Sequence, residues 1–340
     1  MGRTVWVLGA GFSKPLGGPL LGDLLLPESL DNLRATYGER FGKLFDVYAT
    51  TAHRLYNHGI RFERGHVQRD DGVGQRLWYD PEEFLEIIDL AATKPDSRAF
   101  RRIEPIVRSM LFDYGSQPEA SAIARVAAAA RRLLAAESNA FTQNIDLDAE
   151  KYWPYKRWLR DLVTENDAII TFNYDCFLEL LNIAVPGSKL QILPRYASSD
   201  STFVRVFKLH GSVDWKDEGQ CITPTSNPYH ALDCIDSEIA IGSPGPTKQA
   251  KMAKLEELWA GAQNAILAPE TDCIVFIGYR FPPSDANAKH WLLTALAQSQ
   301  SEAFAVHIVL GPGRRDDIER LEGMLGCMLH SRVELPQQRA

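Results

Sequence analysis

Three hundred and forty residues, 45% hydrophobic and 24% charged, describe a chain with apolar content for one large core or two modest ones, which excludes disorder as its main state. A formal charge of -7 argues against free DNA or RNA as the principal ligand, because phosphate binding draws most of its energy from Lys and Arg. No apolar run approaches the roughly 18 residues that span a bilayer, and a cytosolic protein is expected. The five cysteines, Cys176, Cys221, Cys234, Cys273 and Cys327, include no Cys-x-x-Cys pair, so neither a disulfide framework nor a zinc ribbon is suggested and no metal is indicated.

In chain order, Thr4 to Gly9 (TVWVLG) is a β-branched and apolar run ending in Gly, the pattern of a strand buried on both faces of a parallel sheet. Similar runs follow at Asp167 to Phe172, Phe203 to Leu209, Cys273 to Gly278 and Ala305 to Gly311, with weaker candidates around Leu190 to Leu193 and Glu238 to Ile241. Helical patterns occupy Cys176 to Ile183, Lys248 to Leu267 and Asp285 to Ala297. Strand and helix alternate, which predicts an α/β fold with a doubly wound, mostly parallel sheet. Residues 38 to about 165 differ, being helical by pattern with little that reads as strand. There, Asp80-Pro81-Glu82-Glu83 predicts a helix start, with Asp80 as N-cap and two carboxylates near the positive end of the dipole. Ala120 to Ala136 is Ala-rich, with Arg125, Arg131 and Arg132 on its expected polar side. We expect one domain over residues 1–340 carrying a helical insertion subdomain.

Four polar constellations sit at the ends of predicted strands. Gly9-Ala10-Gly11-Phe12-Ser13 follows the first; glycines let a backbone approach a pyrophosphate, and a tight turn needs them even without a ligand. Thr171-Phe172-Asn173-Tyr174-Asp175 ends the strand DAIITF, where open α/β sheets bind ligands, although Asn and Asp also serve as turn residues and helix caps. Lys208-Leu209-His210-Gly211-Ser212 places a His at a strand terminus, a position suited to acid or base work. Gly278-Tyr279-Arg280-Phe281-Pro282-Pro283, with Ser284 and Asp285 opening a helix, offers a second backbone turn for a ribose or adenine, or simply a strand stop.

Together, Gly-Ala-Gly-x-Ser, Thr-x-Asn-x-Asp, Leu-His-Gly-Ser and a strand ending in Gly-Tyr-x-Phe resemble the silent-information-regulator (sirtuin) fold in its bacterial sirtuin-like branch. Pro246-Thr247-Lys248 and Leu258-Trp259 are similar to that branch as well, and the resemblance runs from residue 4 to about 311. Thr142-Gln143-Asn144-Ile145-Asp146 repeats the deacylase Thr-Gln-Asn-Ile-Asp letter for letter. Asn173 is nevertheless preferred to Asn144, because it follows a buried strand and precedes an apolar helix, and a catalytic amide needs a sheet edge to hold it.

The resemblance implies a Rossmann-like sirtuin fold and NAD as substrate. Carried onto this sequence, Gly9, Ala10, Gly11 and Ser13 contact the diphosphate, Asn173 holds the nicotinamide ribose and orders a water, Asp175 sits near the carboxamide, and His210 is the base. Phe12, Thr171, Gly278, Tyr279, Phe281 and Asp285 complete the expected binding set. The chain lacks the paired Cys-x-x-Cys zinc ribbon of the deacylases, and the stretch between Asn173 and His210 is longer than in them. Both features resemble NAD-hydrolysing sirtuin-like proteins of bacterial anti-phage defence.

The leading expectation is therefore an NAD+ glycohydrolase (NADase) releasing nicotinamide and ADP-ribose. The alternatives are a protein deacylase or ADP-ribosyltransferase, and a non-catalytic sensor of NAD or ADP-ribose; a dehydrogenase is weaker, because no acidic residue ends a clear second strand. With no sensor domain apparent after Leu335, control is expected from homo-oligomerisation through the insertion or from a separately encoded partner, a translocase-type ATPase or a prokaryotic Argonaute in the group it resembles. Trp153, Tyr155, Arg157, Trp158 and Arg160 form an aromatic and basic stretch, either an interface or nucleic-acid contact or a helix with one buried aromatic face.

Overall fold

A computed structural model of the chain describes residues 2–57, 60–63, 66–69, 78, 80–115, 121–143, 145–192, 194, 202–225, 227, 229–234, 236–242, 253–282, 285–299 and 305–327. The sequence features at Asn144, Pro246-Thr247-Lys248, Pro283, Ser284 and Leu335 lie outside the described residues.

The apolar runs become six parallel strands: β1 (Arg3–Leu8), β4 (Ala168–Thr171), β5 (Leu190–Ile192), β6 (Val204–Lys208), β10 (Thr271–Ile277) and β11 (Ala305–Val309). Their order across the sheet is β11-β10-β1-β4-β6-β5, so the chain winds outward from β1 on one side and then on the other. Alternation along β1 sends Val5 and Val7 to one face and Trp6 and Leu8 to the opposite one. The helices Glu256–Leu267, Ala286–Gln298 and Arg315–Gly326 cover the first face, and Phe177–Ala184 covers the second. Both faces are buried, which is why these strands lack polar alternation. This is the expected doubly wound α/β arrangement.

Three antiparallel strands, β7 (Gly211–Asp217), β8 (Ile222–Pro224) and β9 (Ile239–Ile241), form a small second sheet in the order β8-β7-β9. The weak strand at Glu238 to Ile241 thus pairs away from the main sheet. β7, GSVDWKD, is half polar and carries no continuous apolar run. A further pair, β2 (Ile60–Glu63) and β3 (His66–Arg69), interrupts the helical region.

The helical insertion packs around a core built by the helices Pro27–Tyr37, Val47–Asn57, Pro81–Thr93, Arg98–Asp113 and Ala122–Ala140 together with Val213, Ile239 and Ile241 of the small sheet. Its packing begins before residue 38, because Leu24, Leu25 and Leu33 belong to this core. At its other end Tyr152, Trp158 and Leu159 are buried against the sheet instead. Tyr155 donates its hydroxyl to the Phe12 carbonyl at 2.8 Å, while Trp153 is exposed. The stretch is a helical segment with a buried aromatic face, seated beneath the turn that follows β1. No helix among the described residues is long and apolar enough to cross a membrane.

The Ala-rich helix Ala122–Ala140 runs through the middle of the insertion, buried along nearly its whole length. Arg125 is exposed, whereas Arg131 and Arg132 are half-buried. Arg131 pairs with the buried Asp89, Arg132 donates to the Cys234 carbonyl at 2.8 Å, and Arg125 lies 4.0 Å over the Tyr48 ring. Helix propensities differ by less than about 1 kcal/mol per ordinary residue, whereas burying Leu133 or Leu134 contributes roughly 1.5–3 kcal/mol each. Packing therefore sets this helix in place.

Three polar residues near its end, Glu137, Ser138 and Asn139, are buried too. The Glu137 carboxylate accepts from the Leu25 N–H at 2.6 Å and from the Ser29 hydroxyl at 2.8 Å. Leu25 has φ 59°, a left-handed backbone that a leucine rarely adopts, and Asn57 Nδ2 donates to its carbonyl at 2.7 Å. Asn139 Oδ1 accepts from the Cys176 N–H at 3.0 Å. The helix end thus ties the segment after β1 to the loop after β4.

Burial pushes the Glu137 carboxyl up to about 7, against the two hydrogen bonds that favour its charge. An unfolded glutamate titrates near about 4.3, so the folded protein holds the extra proton in between and stability falls as pH rises from about 5 through 7. In urea unfolding at pH 5 and pH 8, the wild type should lose on the order of 1–3 kcal/mol more than Glu137→Gln. Equal losses in the two proteins would show that Glu137 is ionised throughout.

Candidate active site

The parallel register brings four strand ends level. Leu8 pairs with Thr171 and Ile277, and Thr171 pairs with Lys208. The ladder continues past them, with the Gly9 N–H donating to Ile277 O at 3.0 Å, Phe172 N–H to Leu8 O at 3.2 Å and Leu209 N–H to Thr171 O at 3.0 Å. The residues that follow each strand must therefore meet in one crevice, where the winding reverses about β1.

That crevice is a cleft of about 850 Å³, counted with its open mouth. It is lined by Gly9, Ala10 and Ser13 from the first turn, Asn173 and Asp175 from the second, His210 from the third, and Gly278, Tyr279 and Asp285 from the fourth. Nine of the sequence-derived site residues thus share a single cavity. Gly11, Phe12, Thr171 and Phe281 do not line it. Gly11 N–H donates to Gly278 O at 3.1 Å, Phe12 is buried among aromatic rings, Thr171 Oγ1 accepts from the Asn173 N–H at 3.1 Å, and Phe281 packs on Phe276 and Tyr279.

The glycines are explained first by packing. Gly278 has φ 66°, and a Cβ there would stand 2.3 Å from the Gly11 carbonyl carbon and the Phe12 nitrogen. A Cβ on Gly11 would stand 2.6 Å from Gly278 Cα. Two backbone turns interlock with no room for side chains. The amides of Gly9 and Gly11 are already donated across the interlock to Ile277 O and Gly278 O, and that of Phe12 closes its own turn on Gly9 O.

Asn173 Nδ2 donates to Gly9 O at 3.2 Å, which orients the amide across the crevice. Asp175 Oδ1 accepts from the Phe177 N–H at 3.0 Å, an Asx turn ahead of the helix, whose N-cap is Cys176 rather than Asp175. Burial raises its pKa, countered by the Lys208 charge, that N–H and Ser13. His210 is 4% exposed, and its main chain is pinned by Gly242 N–H on its carbonyl at 2.7 Å. Its ring sits against Phe172, Tyr174 and Trp259, with centroids 5.2, 6.0 and 6.3 Å away. Nε2 stands 3.0 Å from Asp285 Oδ2, close but not aligned as a hydrogen bond.

Behind the cleft Lys208, 1% exposed, donates to Asp175 O at 2.6 Å, Ser212 Oγ at 2.6 Å and Glu179 Oε1 at 2.9 Å. Burial alone would lower its pKa, but Glu179, Asp214 and Asp175 outweigh it and hold the ammonium above the usual lysine range. All three of its N–H donors are satisfied, and they fix the Asn173 to Asp175 loop to β6 and β7.

Sequence reasoning missed the other lining residues: Phe172, Tyr174, Arg280 and Pro282 beside the named ones, Pro19, Leu20, Leu21 and Leu24 after the first turn, and Glu82 and Ser138 from the helical body. Polar residues breaking the apolar end of the Ala-rich helix were the available signal for Ser138. Glu82 looked like an ordinary first-turn carboxylate. Among the described residues no group of three or more His, Cys, Asp or Glu side chains could hold a metal ion.

The interlock and the buried lysine each make a test. Gly278→Ala should destabilise the protein by about 3 kcal/mol or more through forced backbone displacement, while Gly22→Ala, with nothing within 4 Å of its added Cβ, should leave the thermal midpoint nearly unchanged. Lys208→Met strands the buried carboxylates and should cost about 3–5 kcal/mol in chemical denaturation; a loss under about 1 kcal/mol would mean that the network is not holding the loop.

A search of curated proteins finds no match to the chain. Residues 167–326, slightly under half of the chain, match the family model of the SIR2-like domain. The match begins at β4 and ends with the helix Arg315–Gly326, taking in Asn173, His210, Gly278 and Asp285. SIR2-like domains bind NAD, and the match on the half of the chain that carries these residues supports the sirtuin-like family.

Proposed function

We propose that the chain is an NAD+ hydrolase that cleaves the bond between nicotinamide and ribose, with water as acceptor and nicotinamide and ADP-ribose as products. The observation that carries this reading is the convergence of Asn173 and His210, 37 positions apart in the sequence, on one cleft beside a SIR2-like match.

Breaking that glycosidic bond passes through an oxocarbenium-like cation, which fixed polar groups and exclusion of bulk water favour. Asn173, oriented through its Nδ2 by Gly9 O, accepts from a ribose hydroxyl or holds the attacking water. His210 takes the proton that the water or ribose hydroxyl gives up, and the Asp285 carboxylate beside Nε2 stabilises the resulting imidazolium. The diphosphate lies along Gly9, Ala10 and Ser13, with Arg280 supplying positive charge at the mouth. Arg280 is 41% exposed in its side chain and braced by Asp317 at 3.0 Å. In a bacterial cell such an enzyme would deplete NAD during phage attack, under control of self-assembly or a separately encoded partner.

Incubating the full-length chain with NAD+, alone and with the product of the neighbouring gene, should release nicotinamide measurable by chromatography. Asn173→Ala and His210→Ala should each lower the rate by about 10²-fold or more, and Asp285→Asn by about 10-fold or more. If Asn173→Ala and His210→Ala both match an active wild type, the assignment is wrong.

A further inference from the structure

We propose that Glu82, carried into the cleft by the helical body, joins Asp285 in an anionic floor that recognises the positive charge of the nicotinamide ring, so that the cleft selects oxidised over reduced dinucleotide. The inference rests on the NAD reading and adds to it a residue outside the matched SIR2-like segment.

Both carboxylates line the cleft and are nearly inaccessible, Glu82 at 6% and Asp285 at 2% exposure. Arg280, the lining residue with a permanent positive charge, lies at the exposed end. The acidic lining side chains are therefore the buried ones, and the cationic lining side chain, paired with Asp317, is the exposed one. A dinucleotide carries the matching pattern, a cationic pyridinium at one end and an anionic diphosphate in its middle. Charge attraction is far stronger at a buried site than in water, so the floor dictates which end enters first.

One further observation points to a ligand at this floor. The Tyr279 hydroxyl is buried in the cleft and has no hydrogen-bond partner among the described residues, although buried polar groups nearly always have one; a carboxamide on the incoming ring would supply it. Burial raises the Tyr174 and Tyr279 pKa values, and the charges of Glu82 and Asp285 add to the rise at both phenols. Both carboxylates thus act on the same two side chains.

The test is calorimetric titration of the full-length chain with carba-NAD+, which keeps the pyridinium cation and cannot be hydrolysed, and with NADH, whose ring is neutral. The wild type should bind carba-NAD+ at least about tenfold more tightly than NADH, and Glu82→Gln should weaken carba-NAD+ about tenfold while leaving NADH within about twofold. Equal affinity of the wild type for both ligands would overturn the anionic floor without recourse to any variant. Equal weakening of both ligands by Glu82→Gln would overturn the role of Glu82. Failure of the wild type to bind either dinucleotide would instead overturn the NAD reading beneath it.

Discussion

The arrangement depends on one close backbone contact, the interlock of the turn after β1 with the turn after β10. Gly9, Gly11 and Gly278 approach so closely that any Cβ would collide with the opposing chain, and their amide and carbonyl groups hydrogen-bond across the gap. This contact extends the parallel ladder past the strand ends and sets the spacing of the crevice. Asn173 is oriented by a carbonyl of the same turn. Glycines that suggest a phosphate loop are thus required before any phosphate arrives.

Buried ionisable groups are concentrated around this crevice. Lys208 satisfies three acceptors behind it, Asp285 stands against His210 within it, and Glu137 holds the Leu25 backbone beside it. Such groups are costly to desolvate and are retained where geometry must be kept. The left-handed residues Leu25 and Phe281 are next to the lining residues Leu24 and Pro282. Backbone strain of this kind collects where a site's shape is over-determined by its surroundings.

The helical body is part of the site. Glu82 and Ser138 line the cleft, and the polar end of the Ala-rich helix ties both flanking loops together. A change in the packing of that body would reach the cleft through these residues. The same helices supply no strand to the sheet, and the SIR2-like match does not extend over them.

The α/β class and the six main strands were legible in the amino-acid order, because strands buried on both faces are continuous apolar runs bounded by Gly or polar turns. So was the position of Asn173 and His210 immediately after two of them, since parallel strands place their carboxyl ends on one edge. β7 was not legible, for its half-polar sequence carries no period that separates it from loop. Nor was the pairing of the half-buried Arg131 and Arg132, whose partners Asp89 and Cys234 are 42 and 102 positions away. Only the tertiary structure paired His210 with Asp285 and brought Glu82 to the same cavity, because those contacts join side chains remote in sequence whose local patterns read as a helix start. Local periodicity determines which face of an element is apolar; which charges meet across elements is decided by how the faces pack.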